Sequence, residues 1–419
     1  MGPTTSVVVR AARRVGLASL GEVVGRAVNI ALPFLLLALH GPGDAVDRFF
    51  IALALAFFVF GSIGNAMTLA LVPLFVERPG MRWNGRSFLI VSMACAACLA
   101  ALPAWMELSN VALTERATAV LAVAIMSLAG LLGAPAVATL NATHRYGLPG
   151  LMWSLRLLPV GAYAIWAPVA PHLGTLLAGL AFADVARAAV LHVSAGRPWT
   201  LRAGDEPLRV PRAAMHLLAG AIIVGLLPLA VRAMALVDGE GALSLFEAAD
   251  RVYGAMASLA SIGVGSVSAV YLARLGETRD PVRGWRLIQG ATLAWGLGWL
   301  ALALTAGLIA PEVMTWLGFA WATGHDIVRD LFLVLALGIP GVVASGVFGR
   351  RLLAQGLAHH LVPVALSSVA TGLVAGALLS PRLGLPGLAA GLALSQYVAC
   401  IHSALVLRRE GWNAHPRAG

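Results

Sequence analysis

The first apolar segment of the chain carries charged and amide side chains on one helical face. It reads GEVVGRAVN, and Glu22, Arg26 and Asn29 are separated by four and three positions, which places them on the same side of a helix. A charged side chain at the bilayer centre costs about 2.5–3.5 kcal/mol on insertion scales, so such residues usually face a bundle interior or a wet cavity. Because the planar fork of arginine matches phosphate oxygens, the pattern predicts a cavity for an anionic headgroup. The alternative is a Glu22–Arg26 pair that only joins two helices.

Further charged residues lie within or at the edges of the apolar runs. Arg156 has no carboxylate close to it in the sequence, and Arg232 lies near a helix end. Both are predicted either to line the cavity or to extend toward the membrane surface. The remaining charges occur in close groups and are predicted to form structural or gating ion pairs: Asp47, Arg48, Asp184, Arg187, Glu247, Asp250 and Arg251. Six embedded arginines against five carboxylates leave the charge nearly balanced, so capture of a pyrophosphate would depend on geometry rather than on a large field.

The composition indicates a polytopic membrane protein. Of the 419 residues, 59% are hydrophobic and only 11% are charged, and the mean hydropathy is +0.86. A soluble protein has about 25% charged residues. All the basic residues are arginines, and the net charge of +10 is better explained by topology signals than by nucleic-acid binding. No nucleic-acid partner is expected.

Windows of about 20 apolar residues predict twelve transmembrane helices. The windows are 16–40, 47–76, 87–104, 112–139, 148–170, 173–195, 212–235, 243–273, 287–310, 328–349, 361–380 and 384–407. Twenty of the 29 arginines fall in the termini and alternate connections, whereas only three fall in the other connections. Because cytoplasmic loops are enriched in arginine, this bias predicts a multi-pass protein of the cytoplasmic membrane with both termini in the cytoplasm.

The two halves of the chain resemble each other. AVDRFFIALA (Ala45–Ala54) and AADRVYGAMA (Ala248–Ala257) share the Asp-Arg pair and an aromatic residue two positions later. Each begins the second helix of a six-helix half. We therefore expect an all-α fold of two pseudo-symmetric six-helix lobes, residues 1–195 and 212–419, joined by a cytoplasmic linker at 196–211, which is a transporter architecture.

Four stretches together resemble the MurJ/MviN family of lipid-linked precursor flippases. They are GPGDAVDRFF…LALVPLF (Gly41–Phe75), DGEGALSLFEAADRVY (Asp238–Tyr253), LALGIPGVVASGVFGRRLLAQG (Leu335–Gly356) and LGLPGLAAGLALSQYVACIHSALVLRR (Leu383–Arg409). The stretches occur in the family's order over nearly the whole chain. The family belongs to the MOP superfamily, which also contains multidrug exporters.

The resemblance implies a two-lobed bundle that moves a polyprenyl-pyrophosphate-linked saccharide between leaflets by alternating access. The positions that match the family are Asp47, Pro73, Arg232, Asp250 and Arg251. Family members usually carry arginines early in the first helix, where this chain has Glu22 and Val28. They also carry basic residues midway in the second helix, where this chain reads FFVFGSIGN.

Two other function classes compete with the flippase. The first is a MATE-like exporter of small molecules, and the second is a degenerate, non-transporting scaffold of cell-envelope synthesis. An enzyme is not expected, because the loops contain no DxD, HxxxD or P-loop motif. No catalytic residue, cofactor or metal site is predicted. The expected partners are the lipid bilayer and a lipid-linked saccharide or other amphiphile, the coupling ion is left open, and a monomer is expected.

Overall fold

The protein is built from helices. The computed structural model describes residues 25, 27–78, 83–105, 113–143, 145, 147–167, 172–201, 212–274, 281–316 and 324–410. Its helices are α1 (Ala27–His40), α2 (Asp44–Phe57), α3 (Asn65–Glu77), α4 (Arg86–Trp105), α5 (Leu113–Ala142), α6 (Gly147–Leu151), α7 (Leu157–Trp166), α8 (Leu173–Ser194), α9 (Arg212–Asp238), α10 (Ala242–Arg274), α11 (Pro281–Trp316), α12 (His325–Ala336), α13 (Ile339–Ala354), α14 (Leu361–Leu383) and α15 (Leu385–Arg409).

Three pairs of these helices are continuous segments with an irregular centre. A π-helical stretch, Phe58–Gly64, joins α2 to α3, and a 3₁₀ stretch, Met152–Arg156, joins α6 to α7. A two-residue turn at 337–338 separates α12 from α13. Counted in this way, the helices of the described ranges form twelve segments in the predicted order, which confirms the predicted fold class.

The helices are apolar enough to lie in a bilayer. Within the described residues, nine segments are long and apolar enough to cross it, and Ala27–His40 is a shorter apolar helix. The prediction of a polytopic membrane protein is therefore confirmed. The largest error in the predicted bounds is at α11, which begins at Pro281 and ends at Trp316, whereas the window predicted 287–310.

The chain divides into two compact units. The first unit comprises Met1–His40 and Asp44–Leu218, and the second comprises Gly41–Gly43 and Ala219–Gly419. The boundaries of the lobes and linker predicted from the sequence stay a prediction.

Helix α5 is the central element of the first unit, packing against α2, α3, α4 and α8. Pro135 lies inside this helix and deprives a preceding carbonyl of its donor. Side chains from outside bond to the carbonyls around it: Thr68 Oγ1 donates to Ala134 O at 3.4 Å, and Trp199 Nε1 donates to Leu132 O at 3.2 Å. Trp199 is held in place by a short parallel pairing of β2 (Trp199–Thr200) with β1 (Trp83–Asn84).

In the second unit, glycines let α14 and α15 pack backbone to backbone. A Cβ atom at Gly391 would lie 2.6 Å from both Gly372 O and Gly376 N. Close approach through glycines four apart is typical of helix pairs in membranes, where packing must replace the hydrophobic effect. A hydrogen bond also links α15 to the α12–α13 turn, where the Tyr397 hydroxyl donates to Leu337 O at 2.6 Å.

This packing makes Gly391 intolerant of even a methyl group. We expect Gly391→Ala to destabilise the protein by about 1–3 kcal/mol, because the added Cβ overlaps the α14 backbone. The matched control is Gly346→Ala in α13, where a Cβ would meet nothing within 4 Å. Thermal unfolding of the detergent-solubilised variants checks this, and equal melting temperatures for the two would contradict it.

Candidate functional site

Arg156 and Asp184 form a deeply buried charged pair in the first unit. Arg156 Nε donates to Asp184 Oδ1 at 2.9 Å, and Arg156 Nη2 donates to Oδ2 at 2.6 Å. The two residues are only 1% and 4% exposed. Arg156 Nη1 also donates to the side-chain oxygen of Asn29 at 3.0 Å. One guanidinium therefore connects α1, the 3₁₀ stretch and α8.

Trp153 and Arg156 lie on the same side of the 3₁₀ stretch. With three residues per turn, side chains three positions apart are eclipsed. Both Trp153 and Arg156 therefore project from the same side of Met152–Arg156. The backbone just before this stretch, at Gly150, lies close to Gly25, which precedes α1. A Cβ atom at Gly25 would overlap the Gly150 carbonyl and Trp153 Cβ.

Aromatic rings surround the Arg156 guanidinium. Its Cζ lies 5.0 Å from the ring centroid of Phe57, 5.4 Å from that of Phe60 and 4.8 Å from that of Trp153. These distances are typical of cation–π interactions. Phe57 ends α2 and Phe60 lies in the π-helical stretch, a deviation that is frequent at functional sites. Gly130 of α5 leaves the space that Phe60 fills.

The Trp153 ring also contacts a second guanidinium, that of Arg187. Arg187 is one turn after Asp184 on α8, and its Cζ is 3.7 Å from the centroid of the Trp153 ring. Arg187 is partly exposed, in contrast to Arg156. We call Asn29, Trp153, Arg156, Asp184 and Arg187, with the two phenylalanines, the arginine cluster. Its described side chains have two guanidinium groups and one carboxylate, which sum to one positive charge.

The structure brings together some of the residues predicted for the cavity. Asn29 and Arg156 are bonded to each other, whereas Glu22 and Arg26 lie outside the described residues. Both oxygens of Asp184 receive bonds from Arg156, a contact that the sequence did not predict. The predicted pairing of Asp184 with Arg187 stays a prediction. The substrate-binding role of these residues stays a prediction.

The sequence reasoning missed the aromatic members of the cluster. Phe57, Phe60 and Trp153 look like ordinary apolar residues in a membrane helix. The one local signal is that Trp153 and Arg156 are three positions apart. This spacing places the two side chains directly above each other only if the backbone forms a 3₁₀ turn.

The second unit has a different arginine network. Arg232 on α9 donates from Nε to Glu247 Oε1 and from Nη2 to Asp250 Oδ2, and its Nη1 donates to Pro228 O at 3.1 Å. Arg251 Nε donates to Glu247 Oε2 at 2.9 Å, the pairing that residues four apart on a helix predict. Two arginines thus face two carboxylates, and the network is neutral.

The burial of this network makes it an unsuitable ligand site. Glu247 is fully buried and bonded to both arginines, and three nitrogens of Arg232 donate to groups of the protein. At the matching place in the first unit, Asp47 is buried and Arg48 is exposed, so the two charges grouped by the sequence have different environments. Among the described residues, no group of three His, Cys, Asp or Glu side chains is arranged to hold a metal ion.

The arginine cluster predicts strong energetic coupling between its two buried charges. We expect Asp184→Ala to destabilise the protein by about 3–5 kcal/mol, because it leaves Arg156 as an unpaired buried charge. Replacing both residues, Arg156→Met with Asp184→Leu, should cost less than either single change, since no buried charge remains. Thermal unfolding of the four proteins of this double-mutant cycle measures the coupling. A double variant whose cost equals the sum of the two single costs would contradict the pairing.

Comparison with known proteins gives matches in structure only. No family model matches the chain, and no curated protein matches its sequence. The lipid II flippase MurJ in an inward closed conformation is similar, with a TM-score of 0.70 and 13% identity over 94% of this chain and 87% of MurJ. The MATE transporter VcmN from Vibrio cholerae has a TM-score of 0.64 and 15% identity over 97% of both chains.

A third similar structure is a MOP-superfamily transporter from Pyrococcus furiosus, with a TM-score of 0.59 and 13% identity over 96% of both chains. The resemblance to MurJ that the sequence indicates is therefore confirmed at the level of structure. The chain has the twelve-helix fold of the MurJ and MATE transporters of the MOP superfamily.

Proposed function

We propose that the protein is a membrane transporter that flips a polyprenyl-pyrophosphate-linked saccharide across the cytoplasmic membrane by alternating access of its two lobes. The observation that carries the proposal is the arginine cluster, a net positive and aromatic-lined group within apolar helices. Both termini lie in the cytoplasm and the working unit is a monomer in this proposal.

The charge of the cluster favours an anionic substrate. A buried ion pair such as Arg156–Asp184 can hold helices together without a second arginine. Arg187 adds a further positive charge, and a charge within a membrane span is costly and typical of functional positions. In a water-poor site, charge-assisted bonds from guanidinium to phosphate are strong and directional. The same charge repels a cationic substrate.

The fold alone leaves the class of substrate open, so the site must decide it. The Pyrococcus furiosus transporter is described as having a binding pocket of reverse polarity, which suggests a different function for it. Charge at the site is therefore a reasonable guide among proteins of this fold. The positive arginine cluster supports a phosphate-bearing substrate for this chain.

A MATE-like exporter of small molecules is the second candidate. It is favoured by the full-length match to VcmN and by the three rings of the arginine cluster, which can stack on a flat organic molecule. A non-transporting scaffold of cell-envelope synthesis is the third. It would need neither a net charge nor aromatic walls at this place, and these features favour a transporter over it.

Transport by the purified protein in proteoliposomes distinguishes the candidates. We expect flipping of a fluorescent polyprenyl-pyrophosphoryl saccharide, because its phosphates match the arginine cluster. The matched control is the same polyprenyl chain and saccharide joined without phosphate, which we expect to be flipped at least about tenfold more slowly. Protein-free liposomes give the background.

Three results would overturn the proposal. Equal flipping of the two lipids would show that phosphate is not recognised. Uptake of a fluorescent organic cation with no flipping of either lipid would identify the exporter instead. No transport of any of the three by protein of normal melting temperature would favour the scaffold.

A further inference from the structure

We infer that the second unit binds the headgroup of an anionic phospholipid through Arg286, at the start of α11, and through Arg350 and Arg351, at the end of α13. The arginine cluster belongs to the first unit, so the two sites share no residue. The ligand of the new site is a lipid of the surrounding bilayer, whatever class of substrate the protein transports.

Helices α11 and α13 pack against each other in opposite directions. A Cβ atom at Gly296 of α11 would lie 3.0 Å from Pro340 Cα, so the two backbones approach closely there. Nearer the start of α11, the buried Trp285 ring packs on Phe348, with 5.6 Å between the ring centroids. Two aromatic side chains fill the space between the helices at this place, whereas a glycine faces the neighbouring backbone at the other. The helices therefore diverge toward the start of α11 and the end of α13.

Three arginines lie at this diverging end. The Cζ atom of Arg351 is 5.8 Å from the centroid of the Trp285 ring, a distance at which the ring attracts a guanidinium. Arg350 precedes Arg351, Arg286 follows Trp285, and both are exposed. Within the part of the chain that the structure describes, the side chains of these three arginines make no hydrogen bond or ion pair. Their donors are therefore open to an anion from outside the protein.

The charge at this end of the second unit is strongly positive. Three segments meet there, 274–286, 350–360 and 408–410, and in the sequence they hold eight arginines and three carboxylates. They come together because the ends of α13 and α15 pack on the apolar cluster that contains Trp285. The predicted topology places this end in the cytoplasm, where anionic lipids make the membrane surface negative. Each basic residue close to such a surface strengthens binding by a factor of about five, which favours an anionic headgroup over a zwitterionic one.

The surface between these arginines and the bilayer centre is apolar and open. Gly346 lies one turn before Arg350 on the same face of α13, and a Cβ atom there or at Gly349 would meet nothing within 4 Å. On α11, Leu287 and Leu293 are 67% and 58% exposed. A lipid chain can therefore lie along the two helices while its phosphate reaches the guanidinium groups. Arginines that serve only as topology signals need neither this open surface nor a ring that holds one of them in place.

Binding of defined lipids to the purified full chain tests the site. Protein in detergent is titrated with phosphatidylglycerol and with phosphatidylcholine of the same acyl chains, and native mass spectrometry counts the bound lipids. The ratio of the two affinities measures the preference for the anionic headgroup. We expect the wild type to prefer phosphatidylglycerol at least about twentyfold, and Arg350→Gln combined with Arg351→Gln to lower the ratio at least about tenfold, because two of the three arginines are lost.

Two further variants separate the loss of charge from other effects. Arg350→Lys combined with Arg351→Lys keeps both charges and should retain most of the preference, although it loses the planar fork. Arg382→Gln is the matched control, because Arg382 is exposed at the opposite end of α14 in the same unit. We expect this control to keep the wild-type ratio, and all variants to melt close to the wild-type temperature.

Each of four results would overturn the inference. Equal binding of the two lipids by the wild type would show that the anionic headgroup is not recognised. An unchanged ratio in Arg350→Gln with Arg351→Gln would place any lipid site elsewhere. An equal loss in Arg408→Gln with Arg409→Gln would indicate diffuse attraction by the whole face rather than a site. Displacement of bound phosphatidylglycerol by soluble glycerol 1-phosphate would identify a site for a free phosphate instead of a lipid.

Discussion

The first unit depends on a simple constraint: a guanidinium and a carboxylate within apolar helices must bind each other. Arg156 and Asp184 meet through two hydrogen bonds, and each is almost fully buried. Removing either partner would leave a charge that the surrounding hydrocarbon cannot solvate. The elements that carry these two side chains are therefore held together. Asn29 and the aromatic rings extend the same constraint to α1 and to the π-helical stretch.

The second unit uses the same physical device with a different outcome. Arg232 is bound by Glu247 and Asp250 of the next helix, and Glu247 also binds Arg251. Two positive and two negative groups satisfy one another, which suits a structural network. Among the described side chains of the arginine cluster in the first unit, two guanidinium groups accompany one carboxylate. The difference between the units is one of charge balance rather than of residue type.

The sequence predicts the regular parts of this structure and fails at the irregular ones. Apolar windows locate the twelve segments because a helix must be about 20 residues long to cross a bilayer. The pair Glu247–Arg251 is predictable because it lies within one helix. The partner of Asp184 is not, because Arg156 is 28 positions away and reaches it only through the 3₁₀ stretch. Changes of helix type at Phe58–Gly64 and Met152–Arg156 alter hydrogen bonding, which a hydropathy window does not measure.

The most direct test of the central claim is a high-resolution structure in lipid nanodiscs with a bound polyprenyl pyrophosphate. The account predicts that a phosphate oxygen lies within hydrogen-bond distance of a side chain of the arginine cluster and that both bonds between Arg156 and Asp184 are intact. Phosphate bound at Arg156 with Asp184 displaced, or phosphate bound away from the arginine cluster, would contradict it.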